Sequence, residues 1–458
     1  RLKRKKLITE NKHGGNMRKH LEHAYALGWK GSKEEFIDAS ANLNPLGPPP
    51  WINEVIFSSH ELLYQYPDPE YVELLSAVAN YLPIPPEKIV FGNGADEIMF
   101  ALARMIAKPR GLTQPEPTAR ALVAAPAYSS YREALTRAGL TVIEVPYQSL
   151  FVHHEEAVSI QEFATCWIGA PNNPDGAVPP QYPQSIITLA NNFPQTFFVI
   201  DEAFIEFTDF TSLAEIKSLP DNIFIIRSMT KIFAVPGLRI GFAIVPEAYK
   251  SLIREEIPNW PLNTVAAQFA LKTLSHPDVQ NYVTTSKQFI NKEKQRIRQA
   301  LSPYYELSEA HANFYCIKLK YSKNSAQYAY SQYAENSHTN YVDYTNTNCT
   351  NGSGANQGAT PEQTGTDQPN RTQTGACQPD HPYQALDAAS RLEHEPACTD
   401  QPNCTQTGAC QPDHPLSKLR TSLIEFLLKS GIAVRDVSNY TNNDEWICRI
   451  AIRTQKEN

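Results

Sequence analysis

The sequence contains no apolar stretch near the ~20 residues that a membrane-spanning helix needs, and no segment with the pattern of a signal peptide. It also has no excess of positive charge, because 41 Lys and Arg against 48 Asp and Glu give a net charge of −7. Such a balance gives no reason to expect nucleic acid as a partner. The basic opening RLKRKK is short and is interpreted as a solvated or disordered terminus. These absences predict a soluble, cytoplasmic protein that binds neither membrane nor nucleic acid.

Cysteine is unevenly distributed over eight positions. Three of them, Cys166, Cys316 and Cys448, lie in apolar, strand-like runs and are interpreted as small core hydrophobes. The other five lie in one polar segment: Cys349, Cys377, Cys398, Cys404 and Cys410. A disulfide framework is not expected in a reducing compartment.

That polar segment, residues 322–415, is rich in Thr, Asn, Gln, Gly, Pro and Asp and poor in Leu, Ile and Val. It cannot bury enough apolar surface to offset the entropy of ordering it, so we predict a disordered insertion. Two near-identical sequences begin at Asp367 and Asp400, but two copies are too few for a solenoid. A metal site made from the last three cysteines and His414 is the alternative. Zinc ribbons space their cysteines more closely, and we therefore predict no metal.

A chain of 458 residues is expected to form two or three structural units. From about residue 87 to residue 245, short apolar runs alternate with segments of helical periodicity. The apolar runs show no alternation of their own, which predicts strands buried on both faces of a mostly parallel sheet covered by helices. We therefore predict an α/β fold whose large domain has three layers, α/β/α. Ligands of such sheets bind beyond the carboxyl ends of the strands.

A second, smaller α+β domain is predicted from the last part of the chain. Strand-like runs at 312–320 and 445–454 flank a helix-then-strand pattern at 417–437. The predicted parts are an N-terminal arm that contributes to the active site (1–55), a large domain (56–270), a small domain in two pieces (271–321 and 416–458) and the insertion (322–415).

One lysine lies where an unpaired ammonium would be costly. Lys231 follows the apolar run 223–226, within RSMTKIFAVPGLRIGF, so we predict that it lies at the end of a buried strand. A lysine in a partly dry pocket has a lowered pKa and can act as an amine nucleophile, most obviously by forming a Schiff base. Asp201 directly follows another buried run. It is either a turn or helix cap or the partner of a cofactor's ring nitrogen.

A phosphate site is predicted where a strand turns into a helix. The backbone N–H groups of Gly94, Ala95 and Asp96 would point at an anion there, and the helix dipole would favour one. Ser228 and Arg239, on either side of the lysine in sequence, would complete this cup. An ordinary glycine turn is the alternative.

Two further residues follow strand-like runs. Asn173, in PNNPDG, is a candidate to hydrogen-bond a phenolate oxygen, although Asn-Pro is also a plain turn signal. Tyr128 follows ALVAAP and either stacks on an aromatic ligand or packs in the core.

The order of these signals along the chain resembles that of the fold-type I pyridoxal phosphate enzymes, the aspartate aminotransferase superfamily. The resemblance covers roughly residues 36–321 and 416–455, and its most specific part is DEAFIEF combined with RSMTKIFAVPGLRIGF. It implies pyridoxal 5'-phosphate as the cofactor, with Lys231 as the lysine that binds it covalently and Asp201 as the partner of its ring nitrogen.

Within the superfamily, the N-terminal motifs resemble those of the threonine-phosphate decarboxylases. HGGNMRKH (13–20) and DASANLNPLGPPP (38–50) carry this likeness. Phe204 agrees with it, since the related histidinol-phosphate aminotransferases usually have Tyr there. By position, the resemblance assigns substrate binding to six residues: His13, Gly14, Asn42, Asn173, Arg435 and Arg453.

The resemblance implies decarboxylation of L-threonine O-3-phosphate to (R)-1-amino-2-propanol phosphate and CO₂, for the nucleotide loop of cobalamin. It also implies a homodimer with shared active sites, in which Tyr66 of QYPDPEY reaches the cofactor phosphate of the other subunit. A histidinol-phosphate aminotransferase is the main alternative. Decarboxylation of serine phosphate is another, because one methyl group separates the two substrates by only about 1–3 kcal/mol. A non-catalytic binding protein on the same fold is the third.

The chain departs from the family pattern in two places. Asp175 stands where the family usually has Thr, and we expect it to adjust a turn and to add negative charge near an anion site. The insertion splits the small domain between its first strand and a helix, where it would affect closure of that domain or contacts between subunits.

Overall fold

The structure, a computed structural model, describes residues 17–108, 119–151, 160–303, 305–319, 424–425, 427–430, 432–437 and 446–453. All of them belong to one of the two units into which the chain divides. The predicted insertion with its five cysteines lies outside the described residues, as do His13 and Gly14.

The helices are α1 (Met17–Ala26), α2 (Ile52–Ser58), α3 (Val72–Tyr81), α4 (Gly94–Ala107), α5 (Ser129–Arg137), α6 (Gln184–Asn192), α7 (Met229–Ile232), α8 (Glu247–Arg254), α9 (Thr264–Leu274) and α10 (Val279–Leu301). The strands are β1 (Ile37–Asp38), β2 (Ile89–Asn93), β3 (Arg120–Ala125), β4 (Thr141–Pro146), β5 (Thr165–Gly169), β6 (Phe197–Asp201), β7 (Ile223–Ser228), β8 (Ile240–Ile244), β9 (Tyr305–Leu307), β10 (Phe314–Leu319), β11 (Ile432–Ala433), β12 (Arg435–Asp436) and β13 (Trp446–Ala451). Short 3-10 helices span Lys33–Glu35, His60–Tyr64, Pro86–Lys88, Tyr147–Phe151, Ile160–Glu162, Ile205–Phe207, Leu213–Glu215 and Pro236–Leu238.

Seven strands form one sheet in the order β2-β8-β7-β6-β5-β3-β4. The strands from β7 to β4 in this order are mutually parallel, whereas β8 is antiparallel to both β7 and β2. The mostly parallel sheet predicted from the sequence is therefore confirmed. Its parallel strands place their carboxyl ends along one edge, which is where such sheets bind ligands.

Both faces of this sheet are buried, which explains why its apolar runs do not alternate. In β6, Phe198 and Ile200 pack into a cluster that includes residues of α3, α6 and α9. Phe197 and Val199 of the same strand pack into a second cluster with residues of α4, α5 and α8. Helices thus cover both faces, and the predicted three-layer α/β/α architecture is confirmed.

A smaller part of the structure contains a four-stranded antiparallel sheet, β12-β13-β10-β9, and a parallel pair of β1 with β11. Its apolar cluster includes Leu428, Ala433 and Ala24, so α1 packs against this part. These elements agree with the predicted smaller α+β domain. All strands of the seven-stranded sheet fall within 56–270, although the domain boundaries themselves remain a prediction.

The three cysteines interpreted as core residues, Cys166, Cys316 and Cys448, are buried and free. Over the described ranges, none of the helices has the length and apolar character needed to cross a bilayer.

Candidate active site

The carboxyl ends of the parallel strands open into one cavity. Strands β6 and β7 end at Asp201 and Ser228, and the loops after β3 and β5 bring Tyr128 and Asn173 to the same place. The cavity measures about 470 Å³, including the open space at its mouth. It is lined by Ala95, Asp96, Met99, Tyr128, Asn173, Asp201, Ala203, Phe204, Ser228, Thr230, Lys231 and Arg239. The structure therefore brings most of the predicted cofactor residues together.

Lys231 lies in α7, a four-residue helix that directly follows β7. Its side chain is partly buried and lines the cavity. Burial lowers the pKa of its ammonium, and the positive charges of Arg449 and Arg239 lower it further, against the opposing effect of Asp96 and Asp201. A lowered pKa leaves more of the amine neutral near pH 7, as a nucleophile requires.

Asp201 is buried at the last position of β6. Its Oδ2 accepts a 2.6 Å hydrogen bond from the Tyr131 hydroxyl, and its Oδ1 accepts one of 2.9 Å from the backbone N–H of Ala203. Burial raises the pKa of Asp201 to about 6, although both hydrogen bonds act to lower it. A carboxylate in this state would gain from a cationic partner, such as a protonated ring nitrogen. Tyr131 was not predicted from the sequence.

The residues predicted to form a phosphate cup come together at the start of α4. Gly94 has a φ of 78°, and a Cβ there would lie 2.5 Å from Arg239 Nη2. A Cβ on Gly241 of β8 would lie 2.5 Å from the backbone nitrogen of Ala95. Two glycines therefore let the guanidinium and β8 approach the N-terminus of the helix closely. Arg239 also donates a 3.0 Å hydrogen bond to the Asp96 carboxylate.

The walls of this cup are tied together by side chains. The Tyr128 hydroxyl donates a 3.1 Å hydrogen bond to Asp96, which fixes the predicted stacking residue beside the cup. Ser228 Oγ lies 2.8 Å from the hydroxyl of Thr230, a cavity residue that was not predicted. Helix N–H groups, a guanidinium and hydroxyls form a donor set that suits a phosphate.

A second group of residues meets at Asn173. Its central member, Arg449, was not predicted from the sequence. Arg449 of β13 donates from Nη1 to Asn173 Oδ1 at 2.6 Å and from Nη2 to the carbonyl oxygen of Ser40 at 2.7 Å. Its guanidinium also lies 5.3 Å from the ring centroid of Phe314. Arg449 is buried and pairs in register with Arg435 of β12.

The spacing of the two arginines in RIAIRT (449–454) explains why the sequence did not single out Arg449. Residues an even number apart on a strand share a face, so periodicity offers Arg449 and Arg453 equally. The resemblance selected Arg453, which lies beyond the end of β13. Arg449, Arg453 and Arg435 are all described, and none of them lines the cavity itself. Arg449 is connected to the cavity through its hydrogen bond to Asn173, which does line it. The predicted roles of Arg435 and Arg453 toward the substrate stay predictions.

Residues 40–44 run between the two groups. Ser40 accepts from Arg449, and the backbone N–H of Asn44 donates 3.1 Å to the carbonyl oxygen of Lys231. Asn42 lies between them and is buried, and its Oδ1 finds no hydrogen-bond partner within the described part of the chain. A buried acceptor in this state suits a donor on a ligand. Asn42 does not line the cavity itself, and its predicted role toward the substrate stays a prediction.

Tyr66 is placed elsewhere in this chain. It is 81% exposed, stacks on Trp260 at 4.7 Å, and lines a separate open cavity beside α3 and α9.

Asp175 forms part of the turn after β5, where its Oδ1 accepts from Asn172 Nδ2 at 2.8 Å and from the backbone N–H of Ala177 at 3.1 Å. It therefore takes part in the hydrogen bonding of this turn, while its effect relative to the usual Thr stays a prediction.

An α/β sheet with a partly buried lysine, a buried carboxylate and a phosphate cup at its strand ends defines a pyridoxal phosphate enzyme of fold type I. The donor set fits this cofactor: an amine for its aldehyde, a carboxylate for its ring nitrogen and the α4 cradle for its phosphate. The family profile of aminotransferase class I and II matches residues 34–356. The chain belongs to this family.

Three relatives with different names have similar sequence identities to this chain. The adenosylcobalamin biosynthesis bifunctional protein CobDQ of Leptospira interrogans is 33% identical over 325 residues, 68% of this chain and 35% of that protein. The threonine-phosphate decarboxylase of Salmonella typhimurium is 31% identical over 269 residues, 57% of this chain and 69% of that protein. A histidinol-phosphate aminotransferase of Limosilactobacillus fermentum is 31% identical over 249 residues, 52% of this chain and 66% of that protein. The chain thus spans about a third of the length of CobDQ.

Two solved structures share the fold. L-threonine-O-3-phosphate decarboxylase from Porphyromonas gingivalis has a TM-score of 0.60 at 17% identity, over 92% of this chain and 95% of that chain. Histidinol-phosphate aminotransferase from Sinorhizobium meliloti, in complex with pyridoxal-5'-phosphate, has a TM-score of 0.54 at 20% identity, over 65% and 79%. Family membership confirms the resemblance identified from the sequence, and with it an enzyme that uses pyridoxal 5'-phosphate.

Proposed function

We propose that this enzyme decarboxylates L-threonine O-3-phosphate to (R)-1-amino-2-propanol phosphate and CO₂, a step toward the nucleotide loop of cobalamin. The observation that carries the proposal is a cavity that joins Lys231, Asp201, Ser228 and Arg239 and whose wall contains Phe204 rather than a tyrosine. Two relatives, named as a threonine-phosphate decarboxylase and a cobalamin biosynthesis protein, support it. A histidinol-phosphate aminotransferase at similar identity keeps that activity as the alternative.

Four side chains would hold the cofactor. Lys231 would bind it through the amine, Asp201 would keep a proton on its ring nitrogen, and Arg239 and Ser228 would bind its phosphate with the N–H groups at the start of α4. When bound, pyridoxal phosphate supplies an electron sink for a bond that breaks at the substrate's α-carbon. After CO₂ leaves, Lys231 Nζ could return a proton to that carbon, because this lysine lines the cavity.

The substrate's anionic groups would be held at the other side of the cavity. Arg449 is fixed by two acceptors, Asn173 and Ser40, so its guanidinium is preorganised to meet a carboxylate or phosphate there. Asn42 offers a buried acceptor to the same ligand. We propose this set together with the residues predicted from the resemblance: His13, Gly14, Arg435 and Arg453. By pinning the anions, it would select which bond at the α-carbon is broken.

Phe204 favours decarboxylation over transamination. Its ring is buried, lies 5.2 Å from Phe314 in an edge-to-face arrangement, and lines the cavity. The aminotransferases usually place a tyrosine at this position, whose hydroxyl binds the ring oxygen of the cofactor. Here that wall of the cavity is apolar and supplies no such donor.

We also propose a homodimer with shared active sites. Phe57, Tyr64 and Tyr66 are each at least 79% exposed within a short stretch of chain, and Trp260 packs on Tyr66. Large exposed aromatics grouped in this way are typical of an interaction surface. A second copy of the chain would cover them and would bring its own Tyr66 to the phosphate cup.

One incubation tests the proposed reaction. Purified protein loaded with pyridoxal phosphate is mixed with L-threonine O-3-phosphate in the absence of any 2-oxo acid, and CO₂ and aminopropanol phosphate are measured. We expect CO₂ release over many turnovers. If no CO₂ forms, and histidinol phosphate instead converts the cofactor slowly to its amine form, the enzyme is an aminotransferase. A parallel incubation with serine phosphate measures the substrate range.

A further inference from the structure

We propose that a buried His20–Asp38–Ser40 cluster positions Arg449 for substrate binding. The proposal rests on the proposed function, because it concerns the anion site of the same cavity. It makes Asp38, His20 and Ser40 positioning residues, which act on the substrate through Arg449.

The cluster is compact and buried. Ser40 Oγ donates a 2.5 Å hydrogen bond to Asp38 Oδ1, and the backbone N–H of Ser40 donates to the same oxygen at 3.0 Å. His20 Nδ1 lies 3.3 Å from Ser40 Oγ and 3.6 Å from Asp38 Oδ1. The side chains of His20 and Asp38 are 3% and 11% exposed, so His20 of α1 packs against β1.

Asp38 is held in its charged form. Burial raises its pKa, but the hydrogen bonds from His20 and Ser40 outweigh burial and leave the pKa below its usual value. A carboxylate that accepts hydrogen bonds from both the hydroxyl and the amide of Ser40 fixes the backbone of that residue, since the two bonds together define its orientation.

The fixed backbone is the one that Arg449 uses. The carbonyl oxygen of Ser40 accepts the Nη2 bond from Arg449, while Nη1 donates to Asn173. The neighbouring Ala39 is held on both sides: its N–H donates to Ala433 and its carbonyl accepts from Ala451, each at 2.8 Å. Residues 38–40 thus form a rigid acceptor for a buried guanidinium.

A buried guanidinium without such an acceptor would turn toward other partners. Release of the Ser40 carbonyl removes the Nη2 bond of Arg449, and the cation then has more freedom to rotate away from the ligand. The cluster therefore affects anion binding without touching the ligand or the cofactor.

The test compares variants of the holoenzyme. Asp38→Ala removes both acceptor bonds, Asp38→Asn keeps one neutral acceptor, and Ser40→Ala removes only the hydroxyl. Ser59→Ala is the matched control: Ser59 is equally buried, and its hydroxyl bonds to the carbonyl oxygen of Val55. Binding of L-threonine O-3-phosphate is followed through the absorbance of the bound cofactor, together with KM and kcat.

We expect Asp38→Ala to weaken substrate binding and raise KM by about tenfold, the size of a lost charge-assisted bond. Asp38→Asn should recover part of this loss, and the cofactor absorbance and affinity should stay unchanged. In the presence of Arg449→Met, Asp38→Ala should add less than about twofold, because residues that act through one another are not additive. Fully additive effects would overturn the proposal, and so would an Asp38→Ala variant that binds like Ser59→Ala.

A second readout does not depend on the reaction. Phenylglyoxal modifies accessible arginines, and peptide mass spectrometry measures each site separately. We expect Arg449 to react at least about fivefold faster in Asp38→Ala, while Arg227, equally buried in the large sheet, stays unreactive. Equal acceleration at both arginines means general loosening and rejects the positioning role. If the wild type reacts with neither L-threonine O-3-phosphate nor serine phosphate, the proposed function fails. The phenylglyoxal reactivity of Arg449 still decides whether the cluster positions this arginine.

Discussion

The two halves of the cavity are encoded in different ways. The proposed cofactor half comes from residues at strand ends of one sheet and in the turns beside them, all between residues 89 and 244. The substrate half joins Asn173 and Ser40 to Arg449, across sequence separations of 276 and 409 residues. A local motif can specify the first half, whereas the second exists only after the smaller sheet has packed beside the large one.

This difference has a consequence for specificity. The proposed cofactor chemistry depends on groups that lie at the strand ends of the large sheet. If the proposed function holds, the choice of substrate depends on the positions of β13 and residues 38–44, and small shifts there would change which bond is aligned for breaking. Substitutions in the cofactor half should therefore mainly abolish the reaction, whereas substitutions in the substrate half should mainly weaken substrate binding.

The largest effect is expected in the cofactor half, at Lys231. Lys231→Ala removes the amine that would bind the cofactor and return the proton, so turnover should fall by more than about 10³-fold. The visible absorbance of the bound cofactor should disappear as well. Lys294→Ala is the matched control, because burial also lowers the pKa of Lys294, to about 8, yet this residue lies on α10 outside the cavity. Retained turnover in Lys231→Ala would refute the assignment of this lysine.

A substitution in the substrate half should leave the cofactor in place. Arg449→Met is expected to raise KM by about 100-fold, since a preorganised cation is lost, while the cofactor absorbance persists. Arg453→Met is the natural comparison, because the sequence offered both arginines to the same face. If Arg453→Met has the larger effect on KM, the position inferred from the resemblance is right and the geometric proposal for Arg449 is wrong.

The comparison of the two halves also shows which parts of the molecule could be predicted from the sequence. Apolar runs without polar alternation predicted the three-layer fold. The polar residues that follow those runs predicted the positions of Asp201 and Lys231. Nothing local marks Arg449 over Arg453, or Tyr131 as the partner of Asp201, because both depend on which surfaces meet in the folded chain. Asn42 was found only through the resemblance of DASANLNPLGPPP, since an asparagine in a loop carries no signal of its own.

Asp201 shows that the cofactor half is arranged for function rather than for stability of the apoprotein. Its folded pKa of about 6 lies above that of an unfolded Asp, 3.8. The folded state therefore holds this proton more tightly, and the stability contributed by protonation is lost as pH rises from about 4 through about 6. Above that range the charged, buried carboxylate costs about 3 kcal/mol until a cation joins it.

Asp201→Asn should reverse this cost in the apoprotein. We expect its free energy of unfolding at pH 7 to exceed that of the wild type by roughly 1–2 kcal/mol. The difference between the two proteins should shrink as the pH falls from about 6 to about 4. Denaturant unfolding of both apoproteins over this pH range measures it. A wild type that is more stable than the variant at pH 7 would contradict the expectation, and cofactor affinity should fall in the variant in either case.

The smallest expected effect lies where the two halves meet, at Phe204. Phe204→Tyr adds a hydroxyl to the apolar wall of the cavity, where the aminotransferases usually carry one. We expect decarboxylation to slow by less than about tenfold, because one neutral donor is worth about 1 kcal/mol, and a slow conversion of the cofactor to its amine form to appear. The ratio of CO₂ released to amine form measures this, with Phe210→Tyr, a half-buried phenylalanine outside the cavity, as the control. An unchanged ratio would mean that the position of the substrate's anions, held from Arg449, decides the reaction without help from this wall.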